Sequence, residues 1–322
     1  MRILLLGATG FVGRNVAEVF ADAGVPLVAR SRRDGWDLMD PARTERELRD
    51  LKPQMIINCA ASVGSLNYVT EQAADIVDQN MQMLLNLYRA CAAVAPQATI
   101  INPVANCAFP GELSLFREDS VWDGELHSSV VAYGSTRRML LVLSDCYRMQ
   151  RGLRSVNFFV PNMYGPYDST DPNKAHALNA LVSRAVRARA SGETSLTLWG
   201  SGIAIREWLY AGDFARLLLE AIGRLDEPHF NQPLNFAQNR GWSIRQIIEL
   251  VLAEYDFDCR IEWETSKPDG APCKIMDDAR FRAVFPEFRF TDLRRGIRAT
   301  IDYYESLQPR PEAGAQSSHV KP

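Results

Sequence analysis

Long apolar runs, paired cysteines and an excess of positive charge are all missing from this sequence, and each absence removes a class of protein. No stretch approaches the ~18 apolar residues of a membrane-spanning helix, so contact with a membrane is not expected. The short apolar run at Met1–Gly7 meets glycines where a leader cleavage site belongs, so the expectation is a cytoplasmic protein without a targeting segment. Six cysteines at 59, 91, 107, 146, 259 and 273 form no CxxC pair, and the four histidines keep no metal spacing. Such scatter points to reduced thiols, with neither a disulfide framework nor a metal site. A formal charge of −3 leaves no basic footprint for nucleic acid. With 20 glycines and 17 prolines in 322 residues, collagen-like and low-complexity chains are excluded as well.

What is present is the mix of a globular protein: 47% hydrophobic and 23% charged residues, enough to bury a large core. The length is that of about two structural units. Strand-like runs at Arg2–Leu6, Pro26–Ala29, Gln54–Asn58, Thr99–Asn102 and Ser155–Val160 alternate with helical patterns at Phe11–Ala23, Thr70–Ala95 and Val131–Gln150. Apolar strands separated by amphipathic helices predict a doubly wound parallel sheet covered on both faces, an α/β fold. The second half is less regular. Helices are expected near 175–190, 212–224 and 243–255, the last with Ser243 as N-cap, between loops rich in Pro, Gly and Asn. Gln308–Pro322 is polar with three prolines, which predicts a disordered tail.

Gly7-Ala8-Thr9-Gly10-Phe11-Val12-Gly13 follows the first strand and opens the first helix. A turn without Cβ atoms lets a pyrophosphate approach the helix N-terminus, where free amides and the dipole favour anions. The alternative is a purely structural tight turn. After the second strand, an acidic residue would bind a ribose 2′-hydroxyl, whereas arginine accommodates a 2′-phosphate. Here Arg30, Arg32 and Arg33 precede the first acid, Asp34, which favours NADP(H) over NAD; a solvated basic loop is the alternative.

The motifs together resemble the extended short-chain dehydrogenase/reductases, the NAD-dependent epimerase/dehydratases, and among them the GDP-L-fucose synthase branch. The likeness runs from Gly7 to about Leu307 through Asp37-Leu38-Met-Asp40, Cys59-Ala60-Ala61-Ser-Val-Gly64, Asn80, Asn162-Met-Tyr-Gly-Pro166, Trp199-Gly-Ser-Gly202, Arg206-Glu-Trp-Leu-Tyr210 and Lys267-Pro-Asp-Gly270. It implies an NADP(H)-dependent epimerase/reductase of a GDP-4-keto-6-deoxy sugar, working as a homodimer. The expected division is residues 1–163 plus about 207–240 for the dinucleotide, and about 164–206 plus 241–307 as a smaller α/β substrate-binding unit.

The resemblance also distributes roles. Besides the glycine loop and the arginines, Asp37, Leu38, Ala60, Ala61 and Asn80 fall on the cofactor side, with Tyr133, Arg137 and His176. Tyr133 would protonate the substrate carbonyl as hydride arrives. Arg137 stands where the family has lysine, four residues on and on the same helix face. Ala105 stands where the family has serine or threonine, leaving Asn106 as a possible donor. Losing one such donor costs roughly a hundredfold to a thousandfold in rate. Cys107 and His176 match the family's proton-exchanging pair, types suited to removing and returning a proton beside a ketone. Asn162, Arg184, Trp199, Arg206 and Lys274 would bind the nucleotide sugar, with Arg206 on the diphosphate and Trp199 either stacking on the base or filling the core. Cys273 replaces a residue usually basic. The two altered reductase positions leave two further readings open: an epimerase or another 4-keto nucleotide-sugar enzyme, and a non-catalytic NADP-binding regulator. Retention of Tyr133, Cys107, His176 and Arg206 together speaks against the regulator.

Overall fold

The computed structural model describes residues 1–171, 174–267 and 269–308; most of the expected C-terminal tail lies outside the described residues. The first half contains β1 (Ile3–Leu6), α1 (Phe11–Asp22), β2 (Leu27–Arg30), α2 (Pro41–Leu51), β3 (Met55–Asn58), α3 (Leu66–Glu71), α4 (Ala73–Val94), β4 (Thr99–Ala105), β5 (Leu115–Phe116), α5 (Val131–Arg151) and β6 (Arg154–Val160). The second half adds β7 (Asn162–Tyr164), α6 (Ala177–Ser191), β8 (Ser195–Trp199), β9 (Ile205–Tyr210), α7 (Ala211–Ile222), β10 (Leu234–Asn235), β11 (Gly241–Ser243), α8 (Ile244–Glu254), β12 (Arg260–Glu264), β13 (Cys273–Met276), α9 (Ala279–Val284) and α10 (Leu293–Ser306).

Six parallel strands form the main sheet in the order β10-β6-β4-β3-β1-β2. The doubly wound parallel sheet expected from the alternating pattern is therefore present. Every residue of β1 and β3 is buried, as a strand covered on both faces requires. The side chains of β1 alternate between two cores. Ile3 and Leu5 pack with Val16, Phe20, Phe214 and Phe281 beneath α1, α7 and α9. Leu4 and Leu6 pack with Leu48, Leu84, Leu87 and Leu140 beneath α2, α4 and α5. Register aligns Leu6 with Arg30 on one side and Asn58 on the other. The turns after β2, β1 and β3 consequently lie side by side at the carboxyl ends of the strands. The chain runs from β1 to β2 on one side and continues as β3 on the other. This reversal of strand order is where open α/β sheets bind ligands.

A second sheet runs β11-β9-β13-β5, with β7 also paired to β9, and β12 pairs β8 separately. Helices α6, α8 and α10 cover it, Val182, Ile247, Ile297 and Ile301 packing in one core with Trp208 of β9. The expected boundary at residue 207 falls inside β9. Helix α8 starts at the expected Ser243, whose hydroxyl accepts from Gln246 N while the Gln246 side chain accepts from Ser243 N, two reciprocal caps. The single helix expected over Thr70–Ala95 is two, broken at Gln72 (φ −103°, ψ 32°). Helix α2 carries only Thr44 and Leu48 as buried residues, so it offers no apolar stripe for a sequence pattern to show.

Candidate active site

A cavity of about 800 Å³ opens where the carboxyl ends of β1, β3, β4 and β6 meet the second sheet. One end is the glycine-rich turn. Gly7 has φ +74° and an added Cβ would lie 2.7 Å from the Cys59 carbonyl, so both backbone conformation and space call for glycine there. A Cβ on Gly13 would lie 2.1 Å from the Gly7 oxygen. These two glycines let β1, β3 and α1 approach closely. Gly10 caps α1 without any side-chain hydrogen bond, leaving the amides of the first turn for a ligand. Thr9, Gly10, Phe11, Val12, Ala60 and Ala61 all line the cavity, and so does Arg33.

The remaining cofactor-side residues are placed around this end. Arg30 turns back, its Nη1 donating to the Ala29 carbonyl at 2.9 Å. Arg32 and Arg33 form one exposed turn with Asp34, whose carboxylate accepts from Ser31 Oγ at 2.7 Å. Asp37 accepts from Met39 N at 3.0 Å, and the buried Leu38 receives Asn86 Nδ2 on its carbonyl at 2.9 Å. Asn80 sits behind the lining and reaches it through Arg137.

Helix α5 brings Tyr133 and Arg137 to the cavity on one face, as their spacing requires. The Arg137 guanidinium lies 4.8 Å from the Tyr133 ring centroid and donates to Asn80 Oδ1 at 3.2 Å. Burial raises the Tyr133 pKa above its ordinary value; Arg137 opposes that rise and Cys107 adds to it. Ala105 ends β4 and lines the cavity with Asn106 and Cys107 in the following turn. Asn106 is 4% exposed, and its Nδ2 has no hydrogen-bond partner among the described residues. Burial pushes the Cys107 thiol up to about 11, against the opposing charges of Lys274 and Arg137.

His176 caps the start of α6. Its backbone N donates to Asp168 at 2.8 Å and its Nδ1 lies 3.1 Å from the same carboxylate. The ring packs against Phe11 of the glycine turn at 5.4 Å. Burial acts to lower the His176 pKa, but the charge of Asp168 and its hydrogen bond outweigh this and leave it raised above 6.5. Asp168, 5% exposed, was not apparent from sequence, because a loop rather than any helical or strand period sets its position eight residues before His176. Arg14 and Lys174, also in the lining, were missed too. Arg14 directly follows Gly13 and was legible as a neighbour of the turn. It lies 4.2 Å above the Tyr167 ring.

At the far end, Arg206 and Lys274 are register partners across the parallel pair β9 and β13, so they lie side by side. Both line the cavity with Asn162, and burial lowers the pKa of each cation. Cys273 directs its thiol to the Ser114 carbonyl at 3.5 Å. Arg184 and Trp199 are not among the described lining residues: Arg184 Nη2 donates to the Thr197 carbonyl, and Trp199, 53% exposed, lies 5.2 Å from Lys267 Nζ.

A glycine turn at a strand-order reversal, with a tyrosine and a cation one helical turn apart in the same cavity, defines a dinucleotide-dependent α/β enzyme fold. The chain belongs to the NAD dependent epimerase/dehydratase family, whose pattern matches residues 3–235. It is 26% identical over 94% of its length to the GDP-L-colitose synthase of Yersinia pseudotuberculosis, of which 98% is covered. It is 25% identical to the probable GDP-L-fucose synthase 1 of Oryza sativa subsp. japonica, over 94% of this chain and 92% of that one. A crystal structure of a GDP-L-fucose synthetase from Naegleria fowleri bound to NADP superposes with a TM-score of 0.83 at 24% identity, covering 94% of both chains.

Proposed function

We propose that this chain is an NADP(H)-dependent epimerase/reductase of a GDP-linked 4-keto-6-deoxy sugar. The observation that carries the proposal is convergence: Tyr133, Cys107 and His176 share one cavity with a pyrophosphate cradle at one end and Arg206 and Lys274 at the other. The cradle suits a dinucleotide, because Gly7 and Gly13 leave no room for side chains and the first amides of α1 have no side-chain cap. Arg33 on the lining and the engagement of Asp34 by Ser31 support a 2′-phosphate. The cofactor supplies hydride to the carbonyl carbon. Tyr133, held protonated by burial, gives its proton to the carbonyl oxygen. Cys107 is a buried thiol able to deliver a proton to one face of the carbon beside the ketone. His176, oriented through Nδ1 by Asp168, takes a proton from the other face. Arg206 and Lys274 hold the substrate diphosphate.

The homodimer belongs to the same proposal. The exposed face of α5 presents Met139, Val142, Cys146 and Met149 at helical spacing, an apolar stripe unusual for free solvent, and Val77 of the neighbouring α4 is exposed as well. Sedimentation of the protein and of Met149→Glu tests it. The activity is tested with GDP-4-keto-6-deoxymannose in deuterated buffer, with and without NADPH, following cofactor absorbance and sugar NMR. NADPH oxidation with deuterium beside the ketone supports both steps; deuterium alone leaves an epimerase; neither outcome, with NADPH bound, sinks the proposal for this sugar.

A further inference from the structure

Backbone with positive φ is uncommon outside glycine, and a bulky side chain persists there only where its surroundings hold it. Tyr167, in the loop after β7, has φ +75°. The Arg14 guanidinium lies 4.2 Å from its ring centroid, Tyr303 packs against it in a T-shaped pair at 5.3 Å, and its hydroxyl donates to Glu18 Oε1 at 3.2 Å. The residues beside it are fastened as well. Asn15 Nδ2 donates to the Pro166 carbonyl at 2.9 Å, and the Tyr304 hydroxyl donates to the Ser169 carbonyl at 3.0 Å. Gly165 N donates to Asn179 Oδ1 at 3.1 Å, and Asn179 Nδ2 donates back to the Gly165 carbonyl at 2.7 Å. Helices α1, α6 and α10 thus hold Gly165, Pro166, Tyr167 and Ser169, and Asp168 stands between them. Its Oδ2 accepts from His176 N at 2.8 Å, and its Oδ1 lies 3.1 Å from His176 Nδ1.

We propose that Tyr167 is a positioning residue for proton exchange: clamped to α1 in a left-handed turn, it aims the Asp168 carboxylate at His176, so that Nδ1 carries the imidazole hydrogen and Nε2 takes the proton from the sugar. This rests on the function proposed above. A carboxylate accepts and has no hydrogen to give, so the neutral ring beside it keeps its hydrogen on Nδ1 and a lone pair on Nε2. In the step, the C–H bond beside the ketone breaks, its proton goes to Nε2, and its electron pair passes into an enolate with the charge on the carbonyl oxygen. The Cys107 thiol gives its proton to the opposite face of the same carbon, and the ketone re-forms. Solvent then takes the proton from the imidazolium and returns one to the thiolate. In the other tautomer Nε2 already carries hydrogen and cannot act as the base. A loop released from α1 would let Asp168 leave Nδ1 and let that tautomer populate. The charged groups about the loop divide accordingly. Asp168 acts on His176, Arg14 and Glu18 of α1 hold Tyr167, and Lys174 lies 5.5 Å from the Tyr68 ring centroid. Phe11 of α1, the ring neighbour of His176, is uncharged. A turn with no role beyond the fold would need none of the Tyr167 side chain, since glycine takes this φ without strain.

The test is proton–nitrogen NMR of the protein with isotopically labelled histidines, which separates the two imidazole tautomers; His176→Gln identifies the His176 signals among four histidines. In the unaltered chain neutral His176 is expected with its hydrogen on Nδ1. Tyr167→Gly keeps the backbone turn and removes the clamp, so the protein should fold while His176 becomes a mixture of tautomers. Its titration midpoint should move to lower pH, because the Asp168 charge that raises it has withdrawn. Tyr167→Phe keeps the ring between Arg14 and Tyr303 and should retain the unaltered tautomer. Deuterium uptake into GDP-4-keto-6-deoxymannose should fall about ten- to a hundredfold in Tyr167→Gly, in kcat more than in KM, and largely recover in Tyr167→Phe. A hydrogen on Nε2 in the unaltered chain, or a tautomer and midpoint unmoved by Tyr167→Gly, overturns the proposal. If Tyr167→Gly does not fold, Tyr167→Asn, a side chain that tolerates positive φ, carries the same test. If the spectra behave as expected but no deuterium enters this sugar, the positioning stands and the assigned substrate fails.

Discussion

Gly13→Ala adds a single methyl group at a buried position of the first turn of α1, and its effect follows from distances alone. The new Cβ would lie 2.1 Å from the Gly7 oxygen, 2.8 Å from the Gly7 carbonyl carbon and 2.9 Å from the Ala8 Cα, where ordinary contact begins at 3.4 Å. All three atoms are backbone, so no side chain can rotate away. The turn must move off the helix by more than an ångström. Overpacking of this kind costs about 1–3 kcal/mol. The same movement spoils the Gly7–Gly10 turn, whose own hydrogen bond from Gly10 N to Gly7 O is 2.9 Å, and with it the cradle for a pyrophosphate. The NADPH dissociation constant, measured by calorimetry, should rise about tenfold or more, equivalent to ~1.4 kcal/mol. Gly24→Ala is the control. Gly24 has φ +68° with nothing within 4 Å of an added Cβ, so that substitution meets backbone strain but no clash. It should lower stability by about 1–2 kcal/mol and leave NADPH binding alone. Tight NADPH binding by Gly13→Ala would refute the placement of the cofactor at this turn.

Other outcomes follow from the same geometry. Solvent deuterium exchange into the keto-sugar should rise with pH as His176 becomes neutral, through a pKa above 6.5, and fall as the Cys107 thiol ionises near about 11. Asp168→Asn removes the charge that raises His176, so the acid limb should move to lower pH; an unmoved limb would assign it to another group. Arg33→Ala should weaken NADPH binding by roughly tenfold while leaving NADH binding unchanged, one charge-assisted bond being worth about 1.5–3 kcal/mol. By the same measure Lys274→Ala and Arg206→Ala should each raise KM for the GDP-sugar about ten- to a hundredfold, with the NADPH dissociation constant as the unaffected reference.

How much of this was legible in the sequence depends on whether the signal was local. β1 and β3 are continuous apolar runs buried on both faces, and Gly7, Gly10 and Gly13 sit at a strand–helix junction, so the main sheet and its turn announce themselves. The second sheet does not. Its strand β5 is two residues long, too short for alternation, and pairs with β13 far away in sequence; the main sheet's edge strand β10, equally short, is hidden for the same reason. The catalytic-side motifs were visible one by one, yet their partners were not. Asp168 reaches His176 through a loop, and Asn80 reaches Arg137 across 57 residues. Arg184 and Trp199 show the opposite case. They were singled out by local resemblance, whereas the fold gives them the Thr197 carbonyl and Lys267 as neighbours, away from the cavity lining.

The net charge is the clearest example of a global quantity concealing a local one. The chain carries −3 overall, yet the described lining of the cavity holds six cations, Arg14, Arg33, Arg137, Lys174, Arg206 and Lys274, against the carboxylates of Asp168 and Asp269. Both carboxylates are engaged, Asp168 by His176 and Asp269 by Ser201 Oγ at 2.7 Å. Burial lowers the pKa of Arg206 and of Lys274, so taking each cation out of water costs solvation that a nearby anion offsets. In the proposed function a substrate diphosphate between them exchanges that lost solvation for charge-assisted bonds. Under the proposed function the cavity takes two diphosphates, one on the cofactor and one on the sugar, and this concentration of positive charge at its two ends suits both. The acidic remainder of the surface carries the balance and leaves the net figure uninformative about either ligand.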